Sequence, residues 1–192
     1  LRSVTSIIGW VAFNEGWGEF DTARIAAAVK ATDPTRLVDA NSGVNCCKTR
    51  GDTGAGDIFD DHTYVGPGRP TSSPGVKLAA NGHAADGRVR VDGEYGGLGL
   101  AMHQNRWPGH PEAYEMTTSQ AQLTARYIEV SRALEAIVRK GGLSAAVYTQ
   151  ITDVENEVNG FLTYDRQLVK VSVPDVAHRN RTVIAAGASP KG

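Results

Sequence analysis

Short apolar runs with the length and β-branched content of strands alternate along this chain with helical patterns and glycine-rich stretches. The strand-like runs are residues 7–13, 37–40, 57–64, 88–92 and 144–149. The segments with apolar residues at helical spacing are 21–30, about 118–140 and about 175–186. Strands that alternate with helices or long loops are typical of a parallel sheet. The pattern therefore predicts an α/β fold.

Residues that start and stop helices flank these segments. Asp21 or Thr22 is a candidate N-cap for the first helix, which we expect to end near Lys30. The longest helix is followed by Gly141 and Gly142, and glycine is common just after a helix C-terminus. Candidate N-cap residues and glycines after a C-terminus thus predict where these helices begin and end.

Two glutamates stand at the ends of strand-like runs, each beside glycine and aromatic residues. They are Glu15, in Asn14-Glu15-Gly16-Trp17-Gly18, and Glu94, in Gly93-Glu94-Tyr95-Gly96-Gly97. Because glycine has no side chain, a flanking glycine leaves space in front of the carboxylate. The two motifs predict a paired-carboxylate site, although a glutamate at a strand end is more often a loop carboxylate or an ion-pair partner.

A pair of carboxyl groups suits the cleavage of a glycosidic bond. One protonated acid supplies a proton to the leaving oxygen, and one ionised acid faces the developing oxocarbenium ion. Sugar rings also need aromatic faces and amide groups, and Asn14, Trp17 and Tyr95 adjoin the two glutamates. Trp17 and Trp107 are candidates for stacking on a sugar, while packing against a neighbouring domain is an equal alternative for Trp107.

The two glutamate motifs resemble the catalytic motifs of glycoside hydrolase family 2, which contains β-galactosidases, β-glucuronidases and β-mannosidases. Residues 57–64, 147–155 and 159–165 resemble the same family, so the similarity spans nearly the whole chain. The resemblance implies an incomplete (β/α)8 TIM barrel, with strands 4 to 8, their helices and long loops. A complete barrel needs about 250 residues, whereas the chain has 192. Residues 1–192 would then be the C-terminal portion of a single catalytic domain.

The resemblance also implies roles for particular residues. Glu15 would be the general acid/base after strand 4, and Glu94 would be the nucleophile after strand 7 of a retaining, β-galactosidase-like enzyme. Asn14 would hydrogen-bond the sugar 2-hydroxyl. His62 and Tyr64, at the end of strand 6, would contact the substrate or orient the nucleophile. The alternative for these two is a hydrogen-bonded histidine and a packed tyrosine without a role in function.

Two other functional classes are weighed against hydrolysis by paired carboxylates. A catalytically silent carbohydrate-binding or structural remnant would follow if strands 1 to 3 were absent. A metal-dependent hydrolase is disfavoured because no His-x-His or clustered His/Asp ligand set appears on the strand ends, and Asp60, Asp61 and His62 would alternate between the faces of a strand. We therefore expect no metal and no cofactor. The partners implied by the family are a carbohydrate substrate, the N-terminal half of the barrel and accessory β-sandwich domains.

Composition narrows the function classes further. Lys and Arg total 20 and Asp and Glu total 21, which gives no basic surface for nucleic acid. No apolar run approaches the roughly 20 residues of a membrane span. Cys46 and Cys47 are adjacent, and we expect two free or partly buried thiols because adjacent cysteines rarely form a disulfide. The identity of the sugar, the oligomeric state and the choice between a cytoplasmic and a secreted location stay open.

Overall fold

The computed structural model describes residues 1, 3–67, 87–140 and 143–188, and these residues have an α/β fold. The helices are α1 (Thr22–Thr32), α2 (Gln120–Arg139) and α3 (Val173–Ala188). The strands are β1 (Gly9–Val11), β2 (Leu37–Asp39), β3 (Ile58–Tyr64), β4 (Val89–Gly96), β5 (Leu98–Leu100), β6 (Glu115–Thr117) and β7 (Ala145–Thr149). None of the described helices is long and apolar enough to cross a membrane.

Within the described ranges the strands form three small sheets. β1 and β2 pair in parallel, with Trp10 opposite Val38, and β5 and β6 pair in parallel, with Gly99 opposite Met116. The third sheet has the order β3-β4-β7. The predicted α/β class with parallel pairing is confirmed, while the incomplete (β/α)8 barrel stays a prediction, because these residues do not form one continuous sheet.

Most predicted elements agree with the structure, with shifted ends. β1 is shorter than the predicted strand 7–13, and β4 extends four residues beyond the predicted end at residue 92. Asp21 does precede α1, but its side chain makes no capping hydrogen bond, whereas the Ser119 side chain accepts one from the Gln122 N–H at the start of α2. The two glycines expected after α2, and much of the predicted loop between residues 51 and 82, lie outside the described residues.

The described residues divide into two compact units. The first contains residues up to 62 together with 87–93 and 143–146. Its apolar cluster joins Ala26 of α1 to Val38 and Ala40, with Val29 packed against it. Small alanine side chains let the helix approach the β1-β2 pair closely, so this core is built with few large residues.

The second unit contains residues 63–67, 94–140 and 147–188. Helices α2 and α3 pack against each other in it, and its buried apolar residues include Leu98, Leu123, Leu134 and Val176. A cluster of four aromatic rings continues this core, with ring centroids 4.5 to 5.4 Å apart; its members are Tyr95, Tyr127, Tyr148 and Phe161. These spacings fall in the range that favours aromatic pairs.

One fully buried lysine holds the loops of the second unit together. Lys170 Nζ donates to Asp153 Oδ1 at 2.6 Å, to the Val158 carbonyl at 2.8 Å and to the Leu100 carbonyl at 3.1 Å. An ammonium group has three protons, so these contacts use all of its donor capacity. A buried charge is tolerated only when it is paired and hydrogen-bonded in this way.

Lys170→Met should therefore destabilise the chain strongly, because it leaves the Asp153 carboxylate buried without its cation. We expect a loss of about 3–5 kcal/mol in the free energy of unfolding, measured by denaturant titration. Arg24→Met is the control, since Arg24 pairs with Asp21 at an exposed position. This change should lower the free energy of unfolding by less than about 1 kcal/mol. Equal losses in the two variants would contradict this account of Lys170.

Candidate active site

The backbone after β1 holds Glu15 in an unusual conformation. Glu15 has φ of 53°, in the left-handed region, where a residue other than glycine costs about 1 kcal/mol or more. Its N–H donates to the Ser42 carbonyl at 2.9 Å, and its carbonyl accepts from the Lys48 N–H at 3.2 Å. A Cβ on Gly16 would lie 2.2 Å from the Lys48 carbonyl carbon, so only glycine fits there. The turn therefore fixes the direction of the Glu15 side chain.

A line of hydrogen bonds connects Glu15 to a buried carboxyl group. His62 Nδ1 lies 2.9 Å from Glu15 Oε1, and His62 Nε2 lies 2.8 Å from Ser42 Oγ. Ser42 Oγ lies 2.7 Å from Asp60 Oδ2. The side chain of Asn45 bonds both the N–H and the carbonyl of His62, at 2.8 and 2.9 Å. The His62 ring is thus held at both nitrogens and through its backbone.

Asp60 ends this line beside a second carboxyl group. The Asp39 and Asp60 side chains are hydrogen-bonded to each other, and both residues are buried. Burial raises the pKa of Asp60 to about 7, and the charge of Asp39 adds to the rise, while the hydrogen bond from Ser42 opposes it. Burial also raises the pKa of Asp39. The pair therefore retains a proton at pH values where ordinary aspartates have lost theirs.

The same Asp60 carboxylate explains the glycine before Glu94. Its Oδ1 accepts the Gly93 N–H at 2.6 Å, and a Cβ on Gly93 would lie 2.1 Å from Oδ2. No side chain can occupy that space unless the carboxylate moves.

Glu94, in the second unit, is hydrogen-bonded by two side chains. The Tyr64 hydroxyl donates to Glu94 Oε2 at 2.7 Å, and Thr149 Oγ1 lies 3.4 Å from the same oxygen. The Tyr64 ring stacks on Tyr114, with centroids 3.6 Å apart. Burial, and the hydrogen bonds with Tyr114 and Glu94, raise the pKa of Tyr64 well above its usual range. Tyr64 therefore stays protonated and remains a donor to the carboxylate.

The remaining predicted site residues are more exposed. The backbone of Asn14 pairs with that of Ser42 in an isolated parallel β-bridge. Trp17 is 66% exposed, with Lys48 Nζ 5.0 Å from its ring centroid. Trp107 is 38% exposed and meets Tyr164 edge to face, with centroids 4.9 Å apart. Both tryptophans keep an accessible face, as a stacking role requires.

The expectation of two free thiols is wrong, because Cys46 and Cys47 form a disulfide. Adjacency in sequence made the bond look unfavourable, but Cys47 adopts a positive φ of 66°, which the sequence does not reveal. The Cys46 sulfur lies 3.4 Å from Glu15 Oε1. Side-chain atoms of Glu15, Cys46 and His62 thus lie as close together as metal ligands do. Metals bind a cysteine thiolate, however, and the sulfur of Cys46 is in a disulfide.

Sequence reasoning missed Ser42 and Asp39 behind Glu15 in the first unit, and Thr149 beside Glu94 in the second unit. Ser42 follows the predicted strand 37–40, so its position at a strand end was a usable signal. Thr149 is the last residue of β7, and its peptide bond to Gln150 is cis. The predicted alternation along β3 agrees with the structure. Asp60 and His62 both contact Ser42 from one face, and Asp61 pairs with Arg90 on the other.

The fold of this chain is similar to parts of two solved structures. It is similar to an exo-β-agarase, with a TM-score of 0.55 and 17% identity over 86% of this chain and 22% of the agarase chain. It is also similar to an FMN-binding β-glucuronidase from Facaelibacterium prausnitzii L2-6, with a TM-score of 0.54 and 17% identity over 96% of this chain and 29% of the other. No protein-family model matches the chain, and no curated protein matches it.

These similarities concern the fold alone, because 17% of the residues are identical. The chain spans between a fifth and a third of the length of the two solved structures. Their activities therefore do not transfer to it without a further argument from the site.

Gly93→Ala should destabilise the chain by displacing the Asp60 carboxylate from its bonds to Gly93 and Ser42. We expect a loss of about 1–3 kcal/mol, measured by thermal or denaturant unfolding. Gly66→Ala is the control, because a Cβ at Gly66 meets no heavy atom of the described residues within 4 Å. If both variants were as stable as the parent chain, the close approach of Asp60 to Gly93 would be contradicted.

The stability of the chain should fall as pH rises toward and through 7. The folded-state pKa of Asp60 is about 7 and its ordinary value is 3.8, so the folded state binds a proton that the unfolded state releases. This contribution is fully present below pH 3.8 and is lost as pH rises through about 7, at about 1.4 kcal/mol per pH unit. Denaturant midpoints measured between pH 5 and 8 test this, and a flat curve would contradict it.

Proposed function

We propose that this chain is the C-terminal portion of the (β/α)8 catalytic domain of a retaining glycoside hydrolase that cleaves a β-glycosidic bond. The observation that carries the proposal is the pairing of each strand-end glutamate with a residue of β3. Glu15 is bonded to His62, and Glu94 is bonded to Tyr64. The fold similarity to an agarase and a glucuronidase supports the same class of reaction.

The surroundings of Glu94 suit a nucleophile. Tyr64 donates a hydrogen bond to the Glu94 carboxylate. Burial and the charge of Glu94 keep the Tyr64 phenol protonated, so Tyr64 is not itself an anionic nucleophile. A donor aimed at one oxygen fixes the orientation of the other. Glu94 would then attack the anomeric carbon from a defined direction.

Glu15 would act as the acid and then as the base. In the first step Glu94 forms a bond to the anomeric carbon, the bond to the leaving oxygen breaks, and Glu15 gives that oxygen its proton. In the second step Glu15 takes a proton from water, whose oxygen attacks the anomeric carbon and releases Glu94. Two displacements at one carbon give net retention of configuration.

The substrate class follows from the surroundings of the two acids. Asn14 would bond the sugar 2-hydroxyl, and the exposed faces of Trp17 and Trp107 would stack on sugar rings. A β-galactosidase-like specificity is our working assignment, in line with the motifs. The N-terminal half of the barrel and accessory β-sandwich domains would be contributed by a longer protein, and turnover would belong to that protein.

Glu94→Gln in the longer protein tests the proposal. Hydrolysis of an aryl β-galactoside should fall by more than about 10³-fold, because the amide cannot attack the anomeric carbon. Glu129→Gln is the matched control, since Glu129 pairs with Arg126 on the exposed face of α2 and should leave the rate unchanged. NMR of the first-formed product should show the β-anomer.

Three outcomes would count against this function. An unchanged rate in Glu94→Gln would remove the nucleophile assignment. Product of inverted configuration would exclude double displacement. Sugar binding without any hydrolysis by the longer parent protein would favour the alternative, a catalytically silent carbohydrate-binding remnant.

A further inference from the structure

The line of hydrogen bonds behind Glu15 has two proton arrangements of equal charge. A serine hydroxyl has one proton and accepts others, and a neutral histidine carries its proton on either ring nitrogen. In the first arrangement the proton of Asp60 lies toward Ser42 rather than toward Asp39, Ser42 donates to His62 Nε2, and His62 Nδ1–H donates to ionised Glu15. In the second, protonated Glu15 donates to Nδ1, Nε2–H donates to Ser42, and Ser42 donates to ionised Asp60.

The contact distances permit passage between the two arrangements. The three contacts measure 2.7, 2.8 and 2.9 Å, so each proton crosses one short hydrogen bond. The His62 side chain is fully buried and Ser42 and Asp60 are buried, which keeps water from interrupting the line. Glu15, at the other end, is only partly exposed, with 17% of its side chain accessible.

We propose that Asp60 is a proton store for Glu15 and that Ser42 and His62 relay the proton between them. The proton of Asp60 passes to Ser42 Oγ, the Ser42 proton passes to His62 Nε2, and the His62 Nδ1 proton passes to Glu15. Three protons each move one step, so no charge enters or leaves the line. Asp60 and Ser42 are positioning residues here, since they act through His62 and Glu15.

The relay rests on the proposed function and gives it a pH range. Glu15 needs a proton when the leaving group departs and must be ionised when water attacks, and the line offers both states without exchange with solvent. The Asp60 store is half full at a pH of about 7 and fuller below it, because burial and the neighbouring Asp39 favour its protonated form. Among the described residues, the titratable and charged groups around it are Asp39 on β2, His62 on β3, and Arg88 and Asp52, which act on Asp39.

Ser42→Ala cuts the relay while keeping the backbone hydrogen bonds of Ser42 to Phe13 and Glu15. Ser42→Thr restores the hydroxyl. The matched control is Thr22→Val, because Thr22 is another buried hydroxyl of the first unit that donates to a carboxylate, that of Glu19, at 2.9 Å. The three variants therefore separate the relay from the general loss of a buried hydrogen bond.

Nitrogen NMR of His62 in the 192-residue chain is the first readout. In the parent chain both ring nitrogens should be partly protonated, because the two arrangements have equal charge and interconvert. Ser42→Ala should leave the ring proton on Nδ1 alone, whereas Ser42→Thr and Thr22→Val should keep both tautomers. The same tautomer populations in Ser42→Ala and the parent chain would overturn the relay, and so would a single tautomer in the parent chain.

The pH profile of aryl glycoside hydrolysis by the longer protein is the second readout. The alkaline limb of kcat/KM should move to lower pH by about one unit in Ser42→Ala and stay in place in the other two variants. A uniform loss of rate with an unchanged profile would overturn the relay and indicate a merely structural serine. The NMR readout needs no turnover, so failure of the relay and failure of the proposed hydrolysis are distinguishable.

Discussion

The buried carboxylate of Asp60 is the constraint on which the first unit depends. It accepts hydrogen bonds from the Ser42 hydroxyl and from the Gly93 N–H, so one side chain of β3 connects the segment after β2 to β4. The space that a side chain at Gly93 would occupy is filled by the Asp60 carboxylate. Burial makes the charged form of this group unfavourable, which is why the Asp39–Asp60 pair keeps a proton rather than two charges.

That constraint explains why the polar residues of the first unit are buried around so small an apolar core. The apolar cluster beside α1 has two buried alanines and one buried valine, and Phe59 is buried as well, whereas the buried polar residues include Asp39, Ser42, Asp60 and His62. Polar groups in an interior stabilise a fold only when their hydrogen bonds are made, and then they specify one arrangement. The left-handed backbone of Glu15 is tolerated because the same segment, around Ser42, also holds the main chain at that turn.

Elements with a strong pattern were predictable from the sequence, and pairings between distant residues were not. Helix α2 was predicted within two residues at its start because its apolar spacing spans twenty residues. Strands β5 and β6 were missed because three residues cannot show alternation. Ser42 lies 18 residues from Asp60 and 20 from His62, and no local signal joins them. The disulfide of Cys46 and Cys47 depends on a local backbone conformation that composition does not encode.

The alternation of β3 accounts for more of the candidate site than any single motif does. Successive side chains of a strand point to opposite faces, so Asp60, His62 and Tyr64 share one face and Phe59 and Asp61 share the other. The second face is structural, because Arg90 pairs with Asp61 and lies over the Phe59 ring. On the first face, His62 contacts Glu15 within the first unit, and Tyr64 donates to Glu94 within the second unit. A shift of one residue in the register of β3 would turn His62 away from Glu15 and Tyr64 away from Glu94, so this strand decides whether each glutamate has its partner.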